Sequence, residues 1–150
     1  MRRFHRPVRR ASDILEEFSG SGDPAELSRA AHDTAAILVL LAKERSPEVR
    51  ARMAEHLNHE GVEELVQLWQ QAAPISLPGA LWKLYQIERQ LPEGPVASDI
   101  RLLLGGHFDG EFGELCERAA IIGRRLGPRW DNWAAELEAC ANQWHSGVLW

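Results

Sequence analysis

In this chain of 150 residues, the side chains best suited to chemistry fall in three short stretches. His32 and Asp33, followed by Thr34, interrupt an otherwise apolar segment. An imidazole or carboxylate in such surroundings can bind a polar ligand or pass a proton. Adjacent residues diverge on a helix, so the two cannot form a dyad with each other. His32 needs a partner on a packed neighbour, and Asp33 an arginine such as Arg29 or one from the N-terminal arm. His107, Asp109 and Glu111 alternate through a glycine-containing loop, Gly105 to Gly110. Their donors could reach a ligand, although the full calcium-loop spacing is absent. Asp109 also suits the cap of the helix that follows. His56 and His59, with Glu60 or Glu63, have the three-residue spacing of ligands on one helical face. Gly61 interrupts that geometry, and the order differs from His-Glu-x-x-His. A solvated polar face is the expectation there, and no metal is assigned.

Aromatic residues form a fourth set. Six tryptophans accompany a single tyrosine, Tyr85, with Trp82 three positions before it. Trp82, Trp133 and Trp144 fit helix faces, while Trp130 and Trp150 lie near breaks. Rings that line a cleft would suit an apolar ligand or a partner helix. Cys116 and Cys140 each follow an apolar neighbour and read as small core residues that could face each other across packed helices. Two cysteines make no disulfide framework and no metal knuckle.

The elements that position these residues all read as helices. Asp23-Pro24-Ala25-Glu26 supplies a cap, a first-position proline and a first-turn acid. Leu27, Ala30, Ala31, Thr34, Ile37, Leu38 and Leu41 then recur at helical spacing. This stretch, to Ser46, is expected to be the helix around which the others pack. Ser46-Pro47 opens a second helix, and Val62 to Trp69 forms a short stripe. Leu77-Pro78-Gly79 opens a helix through Leu91, Pro92 to Pro95 breaks the chain, and a short helix follows from Ser98 to Leu104. Glu111 to Leu126 carries Ala119, Ala120 and Gly123, small enough to admit a neighbouring helix closely. The last helix bears Trp133, Leu137, Cys140, Ala141 and Trp144, and an apolar stretch runs from Ser146 to Trp150. No segment alternates at period two for long enough to argue a sheet. The expected fold is all-α, a compact single-domain bundle of five main helices plus short N-terminal and connecting helices. Residues 1–22 read as a basic arm, a short helix from Asp13 to Phe18 and a flexible link, with the helical domain in 23–150.

Charge and motifs narrow the function classes. Residues 1–10 hold five of the 17 basic side chains, leaving 12 against 22 acidic ones elsewhere. An acidic body repels phosphate backbones, so nucleic acid is not the expected partner despite the arm and the smaller Arg124, Arg125 and Arg129 patch. No glycine-rich phosphate loop or nucleophile motif is present. No apolar run approaches the roughly 20 residues that span a bilayer, and a cytoplasmic location is expected.

Leu27 to Val39 (LSRAAHDTAAILV), Leu77 to Gln90 (LPGALWKLYQIERQ) and Gly106 to Ala120 (GHFDGEFGELCERAA) resemble segments of uncharacterised all-helical actinobacterial proteins, over roughly residues 27 to 126. That resemblance implies helices and brings no activity, cofactor or functional residue. Gly110 to Leu115 with Ala119 also resembles part of a tetratricopeptide helix pair, without a repeat to support it. The expected function is a helical domain that binds another protein or itself through an apolar, tryptophan-bearing groove. The rival is a small-ligand receptor or enzyme with a pocket between the central helix and the 105–110 loop. Its binding residues would be His32, Asp33, Trp82, Tyr85, His107 and Asp109. No cofactor is assigned, and catalytic activity is left open.

Overall fold

Most helices in this chain begin where a capping side chain or a proline settles the first turn. In the computed structural model, which describes residues 23–58 and 61–150, the Asp23 carboxylate accepts from Glu26 N at 3.3 Å. Ser46 Oγ accepts from Val49 N at 3.3 Å, and Ser76 Oγ accepts from Gly79 N at 3.0 Å. These bonds satisfy amides that have no partner inside their own helix. The resulting elements are α1 (Pro24–Leu41), α2 (Pro47–Asn58), α3 (Val62–Trp69), α4 (Leu77–Glu88), α5 (Pro95–Leu104), α6 (Phe112–Leu126), a 3-10 turn (Pro128–Trp130) and α7 (Asp131–His145). Among the described residues there is no strand, and the fold is all-α. The expected arm, the Asp13 to Phe18 helix and the link lie outside the described residues, as do His59, Glu60 and the side chain of His56.

Boundaries depart from expectation where a proline or a cap takes another role. α5 starts at Pro95 rather than Ser98, because a proline with fixed φ and no N–H fits a first helical position as readily as it breaks a helix. α4 stops at Glu88 with Arg89 as its cap, so Leu91 belongs to the connector. α1 stops at Leu41 rather than near Ser46, and the Arg50 guanidinium donates to the Leu41 carbonyl from α2. At α6 the cap is Glu111, whose carboxylate accepts from Glu114 N at 2.8 Å and Gly113 N at 3.2 Å. Asp109 is exposed.

α4, not α1, is the element the rest surrounds. It packs against α1, α3, α5, α6 and α7, whereas α1 packs chiefly against α2, α3 and α4. Leu81, Leu84 and Ile87 on α4 are fully buried. Trp69, from the end of α3, is fully buried too, and its indole N–H donates to Thr34 Oγ1 on α1 at 3.1 Å. The Thr34 hydroxyl in turn donates to the Ala30 carbonyl at 2.9 Å, so the polar pair costs the core no unmet hydrogen bond.

α6 and α7 form the most extensive helix pair. Ala119, Ala120 and Gly123 face Ala134, Leu137, Cys140 and Ala141 there, all buried. A Cβ at Gly123 would sit 2.4 Å from the Trp133 ring, so the indole occupies the space that glycine leaves.

Candidate functional site

The segment after α7 folds back over the body. Gly147 takes φ +76°, a left-handed conformation that favours glycine, and Val148 N and Leu149 N then donate to the Gln143 carbonyl at 2.9 and 3.2 Å. That reversal brings Trp150 to the start of α4, where Leu77 N donates to the Trp150 carbonyl at 3.1 Å. The Trp150 ring stacks on His32 of α1, centroid to centroid 3.9 Å with the planes 21° apart. His32 is held from below by its Nδ1, 2.8 Å from the Ser28 carbonyl, which fixes Nδ1–H as a donor. Trp150 is thus held at its carbonyl by a backbone hydrogen bond and at its ring by the stack on His32, yet it stays 71% exposed. Val148, two residues before it, is 64% exposed, and Ile75, two residues before Leu77, is 40% exposed. All three are exposed apolar side chains on the two segments that the Leu77–Trp150 backbone bond brings together.

The expected site residues do not form one cluster. Asp33, beside His32 in sequence, is exposed on the diverging face. His107 and Asp109 are also exposed. Their loop meets α1 at Leu41: a Cβ on Gly106, which has φ +80°, would lie 2.6 Å from Leu41 Cδ2. Leu41 is about 13 Å along the helix from His32, so the loop closes on α1 well away from the imidazole. Trp82 and Tyr85 are half-buried on α4 with rings 6.1 Å apart, and the Arg89 guanidinium lies 5.5 Å from the Tyr85 centroid. The structure therefore brings Trp82 to Tyr85, and His32 to Trp150. Trp150 was legible only as an aromatic near a break.

Two polar clusters tie helices to their neighbours. Glu111 accepts from Trp144 Nε1 at 2.6 Å and lies 2.9 Å from His145 Nε2, besides its two backbone amides. Burial pulls its carboxyl pKa upward, but the bonds from His145, Glu114 N, Gly113 N and Trp144 outweigh that and leave it at about 2. The same bond to Glu111 raises the pKa of His145. Lys83, 4% exposed on α4, donates to the Pro74 carbonyl at 3.0 Å and pairs with Glu136 Oε1 at 3.2 Å. Cys140 lies beside it, its thiol 3.7 Å from the Pro74 carbonyl. Burial raises the pKa of Cys140, although the Lys83 charge opposes this, and burial followed by the Cys140 charge raises that of Cys116. Both thiols are free and buried. Groups held protonated in this way are poor nucleophiles. Among the described residues, no three His, Cys, Asp or Glu side chains are grouped to hold a metal ion.

An apolar groove of about 540 Å³ opens at the other end of α4, where the connector to α5 passes α6. Ile121, 50% exposed, stands on its wall beside Ile122. Ile121 falls off the core-facing stripe of α6, and that was the one sequence signal for this surface. Among the described residues, no helix is long and apolar enough to cross a membrane.

The class these features define is an all-α chain with a clamped, solvent-facing tryptophan at one end of its central helix and an open groove at the other. No protein-family model, curated protein or solved structure matches it.

Proposed function

We propose that this chain is a protein-interaction domain, binding another protein or a second copy of itself through the surface of Ile75, Val148 and Trp150. The observation that supports this reading is the state of Trp150: a large aromatic side chain held in one place by Leu77 and His32 while most of it faces solvent. A free exposed tryptophan loses conformational freedom when a partner covers it, and one already clamped loses little. Buried aromatic anchors of this kind dominate the energetics of protein interfaces. His32 takes a supporting role, as the platform beneath the anchor.

The test compares wild type with Trp150→Ala and Val148→Asp in sedimentation velocity over a concentration series, and in crosslinking within cell extract. Wild type should self-associate or crosslink to a defined partner, and both substitutions should weaken that association, Trp150→Ala by about 2 kcal/mol or more. A wild-type monomer with no crosslinked partner, or an association indifferent to both substitutions, defeats the proposal.

A further inference from the structure

Trp150 is presented by the last turn of α7, and that turn is held from α6. Gly147 N donates to the Trp144 carbonyl at 3.0 Å and Val148 N to that of Gln143 at 2.9 Å, which with the positive φ of Gly147 makes the paired bonds of a Schellman stop. Leu149 N shares the Gln143 carbonyl at 3.2 Å, and the Trp150 carbonyl accepts from Leu77 N. Fraying of the last turn of α7 would move the Gln143 and Trp144 carbonyls and cost the tail its register. Helix ends fray readily, so the tail depends on what holds this turn. Two consecutive side chains do so: Trp144 Nε1 donates to Glu111 Oε2 at 2.6 Å, and His145 Nε2 lies 2.9 Å from Glu111 Oε1.

A proton on His145 strengthens that hold. Among the described residues, the charged groups that face the ring are Glu111, Glu114 and Glu117, with the Glu117 carboxylate 3.9 Å from Nδ1. The ring also stands in the last turn of α7, where positive charge is favourable against the helix dipole. A neutral ring can keep its Nε2–H on Glu111, but it turns an Nδ1 lone pair toward Glu117 and brings no charge to the helix end. Glu111 itself stays ionised wherever an imidazole titrates.

We infer that Glu111 and His145 form a clasp on the C-terminal turn, closed by protonation of His145, which sets whether Trp150 is held against His32 and Leu77 or released. As regulation this rests on Trp150 being the interface anchor, and association through it then weakens at alkaline pH. His145 binds its proton more tightly in the closed state, so closure is complete below pH 6.5 and is lost as pH climbs through the raised value.

The test follows amide hydrogen exchange of the full chain at Val148, Leu149 and Leu77 from mildly acidic to mildly alkaline pH. Rates are expressed as protection factors, which removes the intrinsic pH dependence of exchange. Leu77 reports the far end of the tail, since its N–H is bonded to the Trp150 carbonyl. Protection at all three should fall about threefold as His145 titrates, the titration being read on its own Cε1 proton. His145→Gln should hold all three at the lower, pH-independent level, and Glu111→Gln should shrink the step. Low urea should leave exchange at these amides unchanged while it speeds exchange at Leu137 in the middle of α7, because the tail opens locally. Four results would each overturn the inference: flat protection in wild type, a step that survives in His145→Gln and so belongs to His32, a step at Val148 and Leu149 that Leu77 does not share, or a urea dependence equal to that of Leu137. These readings need no partner. The expected step beside an association indifferent to Trp150→Ala sinks the interface and leaves the clasp, and the reverse pattern sinks the clasp alone.

Discussion

Glu111 accepts two backbone amides at the start of α6 and is also bonded by Trp144 and His145 at the end of α7. One side chain therefore caps a helix and ties it to its neighbour. The cap alone is worth about 1 kcal/mol, and the indole N–H would lose its partner as well if the carboxylate were removed. The pH dependence has two limbs. With its folded pKa at about 2, below the ordinary 4.5, Glu111 contributes stability that is present above pH 4.5 and lost as pH falls toward 2. With its folded pKa raised above 6.5, His145 contributes stability that is complete below pH 6.5 and lost as pH climbs through the raised value. Urea midpoints should accordingly fall on both the acid and the alkaline side of a mildly acidic plateau. Glu111→Gln should flatten the acid limb and His145→Gln the alkaline one; profiles identical to wild type would show that the junction carries no such linkage.

At the scale of elements, the entry to α4 holds the glycine with the least room for a side chain among the described residues. A Cβ at Gly79 would come 2.2 Å from the Ala73 carbonyl and 2.8 Å from that of Pro74. Those carbonyls are themselves pinned, the first by the Ser76 hydroxyl at 2.7 Å and the second by Lys83 at 3.0 Å. Alanine is the better helix former by about 1 kcal/mol, yet here the clash with fixed backbone should win. Gly79→Ala is expected to destabilise by about 1–3 kcal/mol in chemical denaturation. Gly123→Ala meets only the Trp133 ring, a side chain that can shift, and should cost less. Equal costs would mean that the 73–76 loop yields as easily as an indole.

For the whole molecule, the cysteines supply a probe of global opening. Cys116 and Cys140, the chain's two thiols, are fully buried where α6 meets α7. Alkylation should therefore be slow in the native protein, and both thiols should become reactive together as denaturant unfolds it. Rapid labelling of one thiol under native conditions would show that α6 and α7 part without global unfolding. The Cys140 thiol lies 3.7 Å from the Pro74 carbonyl and 3.8 Å from that of Ser76, either side of Ile75, so association through the surface of Ile75, Val148 and Trp150 should slow the labelling of Cys140 more than that of Cys116.

Local sequence carried the helices, the caps Asp23 and Ser46, and the small-residue face of α6, but it assigned the α6 cap to Asp109 where the structure has Glu111, and it did not mark Ser76. Asp23 and Ser46 cap within their own first turns, and Gly123 leaves room whatever packs against it. These are interactions of short range, legible from spacing. The central position of α4 was not legible, because Lys83 reads as a surface residue until Pro74 and Glu136, brought in from other segments, give its charge partners. His32 could be marked as needing a distant partner, but nothing local named Trp150, which lies more than a hundred residues further on. The groove escaped for the same reason: its walls come from the α4–α5 connector and from the outward side of α6, which meet only when α4, α5 and α6 pack together. Periodicity reports which face of one helix is buried, and tertiary packing alone decides which exposed faces come to lie side by side.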